Sequence, residues 1–185
     1  MAYAAFSVVF GEQPSAAKWN ILGTNDAGFD TYIGDGTNAI QQVQMTNYSA
    51  VATGTTVMAI DDTIPQITEG NEYMTQAITP KSATNLLIID VDILGSCSNA
   101  SNLATALFQD STANALAGAI FNMQAAATLN KMSFSYSMTA GTTSSTTFRV
   151  RAGGQSGTFT FNGASGARLF STISKSTIKI TEYKV

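Results

Sequence analysis

The sequence contains no histidine, one cysteine and three prolines, and charged residues make up only 11% of its 185 positions. Without histidine, the common zinc sites and the Ser/His/Asp and Cys/His nucleophile systems lack a component. A single cysteine, Cys97, excludes an intrachain disulfide. With no cationic cluster beside it, Cys97 reads as a small buried residue rather than a reactive thiol. Nine Lys and Arg are spread along the chain against twelve Asp and Glu, for a formal net charge of -3. That balance offers no electrostatic footprint for a phosphate backbone, so nucleic acid is not an expected partner. No apolar run approaches the roughly 18 residues of a membrane-spanning helix, and no membrane insertion is expected. The opening MAYAAFSVVFGEQ carries no basic leader and meets Glu12 early, so it does not read as a signal peptide.

What the chain does have is apolar content of 44%, enough for one good core. Its charge is low beside the usual share of about 25%, so solubility falls to Thr, Ser, Asn and Gln. With so little charge repulsion, open strand edges would be a hazard, which predicts closed packing or burial in an oligomer.

The last third sets the fold class. MSFSYSMTA, STTFRVRAGG, GTFTFNG and STIKITEYKV each alternate apolar or aromatic residues with small polar ones, separated by Gly, Ser and Asn. Period-2 alternation marks strands with one face in a core and one in water. We read these as one antiparallel sheet, half of a sandwich whose partner strands lie between Thr55 and Leu94. Strands are predicted at TTVMAI (55–60), EYMTQAI (72–78) and LLIIDVDIL (86–94), the last a central strand. Between 102 and 124 the Ala and Leu content favours helix by propensity. The turn signal at 110–114 and the flanking strands favour a hairpin instead, with strands near 105–109 and 117–124.

Near the start, Pro14 and the residues around Trp19, Ile21 and Leu22 predict a helix of two to three turns that must pack on something, in its own domain or on another chain. A linker rich in Gly, Asp and Asn follows. Its Asp26, Asp30 and Asp35 read as capped turns, since they lack the spacing and closing Glu of a calcium loop. Asp61, Asp62, Glu69 and Glu72 form the main acidic cluster. They suit a solvated loop better than a paired-carboxylate catalytic site, so no catalytic residue is assigned. Asp90 and Asp92 share one side of a strand, as do Arg149 and Arg151, and the two pairs are expected to meet across strands.

Two stretches carry a resemblance. FSVVFGEQPSAAKWNILGTNDAGF resembles the N-terminal segment of phage and prophage virion appendages of the head or tail fibre type. There, a Pro-Ser/Thr-Ala-Ala-x-Trp-Asn stretch precedes a β domain. The closing SMTAGTTSSTTFRVRAGGQSGTFTFNGASGARLFSTISKSTIKITEYKV is similar to the end of the C1q-like and TNF-like jelly rolls of such proteins. The resemblance implies an all-β fold, an antiparallel jelly-roll β-sandwich over residues 49–185. Residues 1–48 would form an arm, a short N-terminal helical anchor and a linker. It further implies a homotrimer attached to other virion proteins through the N-terminal segment and localised to the virion. Near the three-fold axis the matching residues are Ile178, Ile180 and Tyr183, while Phe159 and Phe161 would pack within the sandwich or between protomers. Trp19, Ile21 and Leu22 would belong to the anchor. Metal binding is not carried over from the resemblance, because the three linker aspartates do not reproduce a calcium motif, and no cofactor is expected.

The function expected on this basis is that of a non-enzymatic virion structural protein, a trimeric head or tail appendage that decorates the capsid or attaches to the host surface, with a surface glycan as a possible ligand. The loops expected on display are 64–71, 96–102, 110–114 and 141–145. The competing expectation is a carbohydrate-binding module of a secreted bacterial protein, with Tyr32, Tyr48 or Tyr73 stacking on sugar.

Overall fold

The structure, a computed structural model, describes residues 39–185. The expected helical anchor with Trp19, Ile21 and Leu22, the linker aspartates and Tyr32 lie outside these residues. Within them the secondary structure is strand and turn throughout. The strands are β1 (Ile40–Tyr48), β2 (Ala52–Gly54), β3 (Asn71–Ile78), β4 (Leu86–Cys97), β5 (Asn102–Gln109) and β6 (Ala117–Asn122). They continue with β7 (Asn130–Thr139), β8 (Thr146–Gly154), β9 (Phe159–Phe161), β10 (Gly163–Ala164), β11 (Ala167–Arg168) and β12 (Ser176–Tyr183).

Two antiparallel sheets face each other. One runs β1-β12-β4-β7, with β9 and then β2 taking over at the far end of β4, and the other runs β3-β8-β5-β6. Numbered in chain order, the eight long strands are arranged first, last, third, sixth in one sheet and second, seventh, fourth, fifth in the other. Every connection between them except the β5–β6 hairpin crosses from sheet to sheet. This is jelly-roll connectivity.

β4 shows why the residues fold this way. Leu87, Ile89, Val91 and Ile93 point inward and are buried, while Ile88, Asp90, Asp92 and Leu94 face out. Across from them stand Met74, Leu103, Leu107, Phe148 and Val150 of the second sheet, with Ile178 and Ile180 of β12 completing the layer. Each such side chain contributes about 1.5–3 kcal/mol when fully buried. At one end, Tyr73 stacks on Phe161 (centroids 5.0 Å apart, 16° between planes) and leans on Phe159 at 5.3 Å. β4 makes room for this group with Gly95, where any Cβ would collide with the Phe159 ring.

Several expectations need correcting. The four closing strands do not form one sheet: β7, β9 and β12 lie in the first and β8 in the second, because successive jelly-roll strands alternate between layers. β12 lies inside its sheet, paired with β1 on one side and β4 on the other. The sandwich takes in residues 40–48, beyond the expected boundary at 49; β1 pairs with β12 along almost its whole length. TTVMAI is not a strand. Residues 55–70 run instead as a strap across the outer face of the second sheet, where Met58, Ile60 and Ile67 cover Ala104, Ala106 and Phe108. This explains the poor periodicity of β5, whose two faces are both buried. The hairpin expected between 102 and 124 is present as β5 and β6, and the helix favoured by propensity is not.

One carboxylate is built into the frame. Glu182, on the inward side of β12, is 0% exposed. Its Oε1 accepts from Asn85 Nδ2 (2.6 Å), Lys81 N (2.8 Å) and Ser82 N (3.4 Å), and its Oε2 from Gln42 Nε2 (2.6 Å). Burial opposes its charge, but these donors outweigh burial and hold the carboxyl below the ordinary glutamate range. The last strand, β1 and the 79–85 loop are thereby tied at one point.

Candidate interaction surfaces

The outer face of the first sheet is a ladder of small hydroxyls and neutralised charges. Lys179 Nζ lies 2.7 Å from Asp90, which also accepts from Ser135 Oγ at 2.6 Å. One step along, Lys131 Nζ lies 2.6 Å from Asp92, which accepts from Ser133 Oγ at 2.7 Å. For Asp90, partial burial works against ionisation, but Lys179 and Ser135 win and set its carboxyl below the usual range. Lys179 is raised in turn by Asp90. These pairs are exposed and contribute little stability, about 0–1 kcal/mol each. They do remove net charge from the face. Beside them β1 presents Val43 and Met45, 49% and 55% exposed, and a shallow depression lies between Met45, Thr177, Lys179 and the aspartates.

The expected meeting of Asp90 and Asp92 with Arg149 and Arg151 does not occur, because the two pairs lie on opposite sheets. Both arginines instead flank Glu72 on β3, with Arg149 Nη1 3.2 Å from each of its carboxylate oxygens. Arg151 also donates to the Glu69 and Gly70 carbonyls at 2.8 and 2.7 Å, fastening the end of the strap. The acidic cluster thus has structural partners: Glu69 accepts from the Ala59 backbone, and Asp61 from Thr63 N and Oγ1. Those hydrogen bonds set the Asp61 carboxyl below its usual value. Among the described residues no group of three or more Cys, Asp or Glu side chains is placed to hold a metal ion.

Phe159, Phe161, Ile178 and Ile180 lie in the core of the single chain, each at most 2% exposed. A subunit contact on this sheet would therefore use the opposite side of the same strands, where Tyr183 lies half-buried beside Lys179. Tyr48 and Tyr73 do not make a sugar platform. Tyr48 donates its hydroxyl to the Thr75 carbonyl (2.6 Å), and the Tyr73 ring stacks inside the sandwich.

The displayed loops divide between the two ends of the sandwich. Loop 110–114 meets the start of β8, with the Asp110 carboxylate accepting from Thr146 Oγ1 and Thr147 N, both at 2.8 Å. Loop 141–145 lies beside it, joined to 83–85 by backbone bonds. At the opposite end, loop 96–102 adjoins Asn122, Gln124 and Gln155, whose amides bond Asn102 and one another. Loop 64–71 belongs to the strap and bridges to Asn114.

No protein-family model matches the sequence, and no curated protein matches it. Among solved structures it is similar to Eiger TNF from S. frugiperda, at 11% identity over 76% of this chain and 90% of that one, TM-score 0.42. It is also similar to infectious bursal disease virus Gt strain, at 14% identity over 80% of this chain and 39% of that one, TM-score 0.38. A third is the bacteriophage CBA120 tailspike protein 4 enzymatically active domain, at 13% identity over 78% and 19%, TM-score 0.24. The jelly-roll assignment rests on the strand order itself.

Sequence reasoning missed two surface features. One is the groove between the strap and β6, lined by Ile60, Ile64, Pro65, Ala115, Ala117 and Ile120. The other is the exposed segment 163–175 between β9 and β12. The signal for the second was present, since Leu169, Phe170 and Ile173 lie between Arg168 and Lys175 without any acidic residue.

Proposed function

We propose that the protein is a virion structural protein, a trimeric head or tail appendage that decorates the capsid or attaches to the host surface. The observation that carries this reading is the outer face of the first sheet. It is internally charge-neutral and edged by the exposed Ile40, Val43 and Met45. Such a face suits burial against identical copies, where desolvated unpaired charge would be costly. Attachment to the virion would fall to the N-terminal segment with Trp19, Ile21 and Leu22, and a host glycan would meet the polar loops at the sandwich ends. The test is the solution mass of the full chain by sedimentation equilibrium. A species of about three times the 19.4 kDa chain, with antibody labelling of purified particles, is expected. A stable monomer absent from particles refutes the reading.

A further inference from the structure

Residues 163–175 form a finger with a rigid base. Asn162 and Ser176, both 0% exposed, close it: Ser176 Oγ donates to Asn162 Oδ1 at 2.7 Å. Asn162 Nδ2 is held by the Tyr48 and Ala50 carbonyls, and Ser176 Oγ accepts from Leu94 N at 2.9 Å. The finger is further pinned by Ser96 Oγ donating to the Gly163 carbonyl and Gly166 N to Thr160 Oγ1. Above this base the tip is strained. Phe170 and Ser171 adopt φ of 54° and 53°, a left-handed conformation that a bulky side chain rarely takes. The strained turn carries Phe170 and Ile173 outward, 76% and 80% exposed. Arg168 and Lys175 flank them, and among the described residues neither has an acidic partner.

The same chain carries the complementary shape. The groove between strap and β6 is apolar along its floor, leaves Ile64 and Ile120 exposed at 55% and 64%, and is edged by Asp61, with Asp62 next to it in the chain; among the described residues neither carboxylate faces a cation. Two apolar side chains between cations that lack an acidic partner among the described residues match an apolar trough beside carboxylates that lack a cation there. We infer that the 163–175 finger of one copy docks in the strap–β6 groove of a second copy, with Phe170 and Ile173 on Ile60, Ile64 and Ile120, and Arg168 and Lys175 against Asp61 and Asp62. The contact is heterologous, so it closes only as a ring, and a three-fold ring satisfies every finger and groove. This rests on the trimer reading and adds a finger-and-groove contact to the first-sheet face on which that reading stands.

The test is charge reversal in the full chain, read by sedimentation equilibrium. Arg168→Glu with Lys175→Glu, and separately Asp61→Lys with Asp62→Lys, should each weaken self-association about tenfold or more. Combining all four should restore it, because the pairing is re-formed with signs exchanged. A trimer indifferent to both sets overturns the finger-in-groove contact and leaves the trimer reading standing, whereas a monomeric wild type overturns both. Loss of anionic-vesicle binding in the Arg168→Glu, Lys175→Glu chain, with self-association unchanged, would assign the finger to a lipid surface and also overturn the contact. A second measurement reads proximity, at chain concentrations high enough to offset the two apolar side chains removed. Chains carrying Phe170→Cys mixed with chains carrying Ile120→Cys should form an interchain disulfide that neither forms alone, and its absence from a mixture of folded chains refutes the docking.

Discussion

Glu182→Ala removes the acceptor shared by Gln42, Lys81, Ser82 and Asn85. A hydrogen bond to a charged group is worth about 1.5–3 kcal/mol net, and a buried donor left unpaired costs about 1–3 kcal/mol. The donors are not equally trapped. Asn85 is 3% exposed and cannot turn to water, whereas Lys81 is exposed and Gln42 and Ser82 are half-buried. One fully stranded donor, partial losses at the others and the cavity left by the side chain give an expected loss of about 3–4 kcal/mol. Glu182→Gln keeps the volume and one acceptor but loses the charge and turns an amide N–H toward Gln42, for about 1–2 kcal/mol. Urea unfolding followed by far-ultraviolet circular dichroism, at one protein concentration, measures both. pH supplies a second axis. The folded carboxyl is held below its ordinary 4.5, so the unfolded chain takes up the proton first. The stabilisation is full above the ordinary value and is lost as pH falls through the folded one. The gap between wild type and Glu182→Gln should therefore narrow below about pH 4.5. A Glu182→Ala loss under about 0.5 kcal/mol, typical of a surface change, or a gap of equal size at pH 7 and pH 3, would refute the argument.

Among the described residues the enclosed Tyr73 hydroxyl has no hydrogen-bond partner, and burial pushes its phenol up to about 12. Tyr73→Phe should leave stability unchanged or raise it by up to about 1 kcal/mol, and a clear loss in urea unfolding would mean that the hydroxyl has a partner. Gly95→Ala places a methyl against the Phe159 ring; overpacking of this kind costs about 1–3 kcal/mol, and a melt identical to wild type would show that the ring has room to shift. Cys97 is 1% exposed and donates its thiol hydrogen to the Ser156 carbonyl, so a thiol reagent should label it only as fast as the chain opens, and immediate labelling at neutral pH would contradict that burial.

Much of the fold was legible because period-2 alternation is a local property. EYMTQAI, LLIIDVDIL, STTFRVRAGG and STIKITEYKV could be recognised as strands one at a time. Where the reading failed, the cause was an element distant in sequence. β5 lost its alternation because the strap buries its outer face, and TTVMAI looked like a strand because Met58 is buried by that same covering rather than by a ladder. Of the interaction surfaces, the low charge and the polar loops were visible in composition. The neutral Asp–Lys ladder was not, since it depends on which strands lie side by side.

By itself the sequence determined a β-sandwich after its N-terminal segment, little charge and no histidine chemistry, and it marked Cys97 for the interior, because these follow from composition and from residues one or two positions apart. Tertiary structure alone decided that β7 and β12 both flank β4, that Arg149 and Arg151 turn to Glu72, that Glu182 is buried and that the finger and groove stand exposed. In a jelly roll nearly every connection crosses between layers, so the partner of a residue lies tens of positions away. The sum of burial over both sheets, rather than any local pattern, selects it.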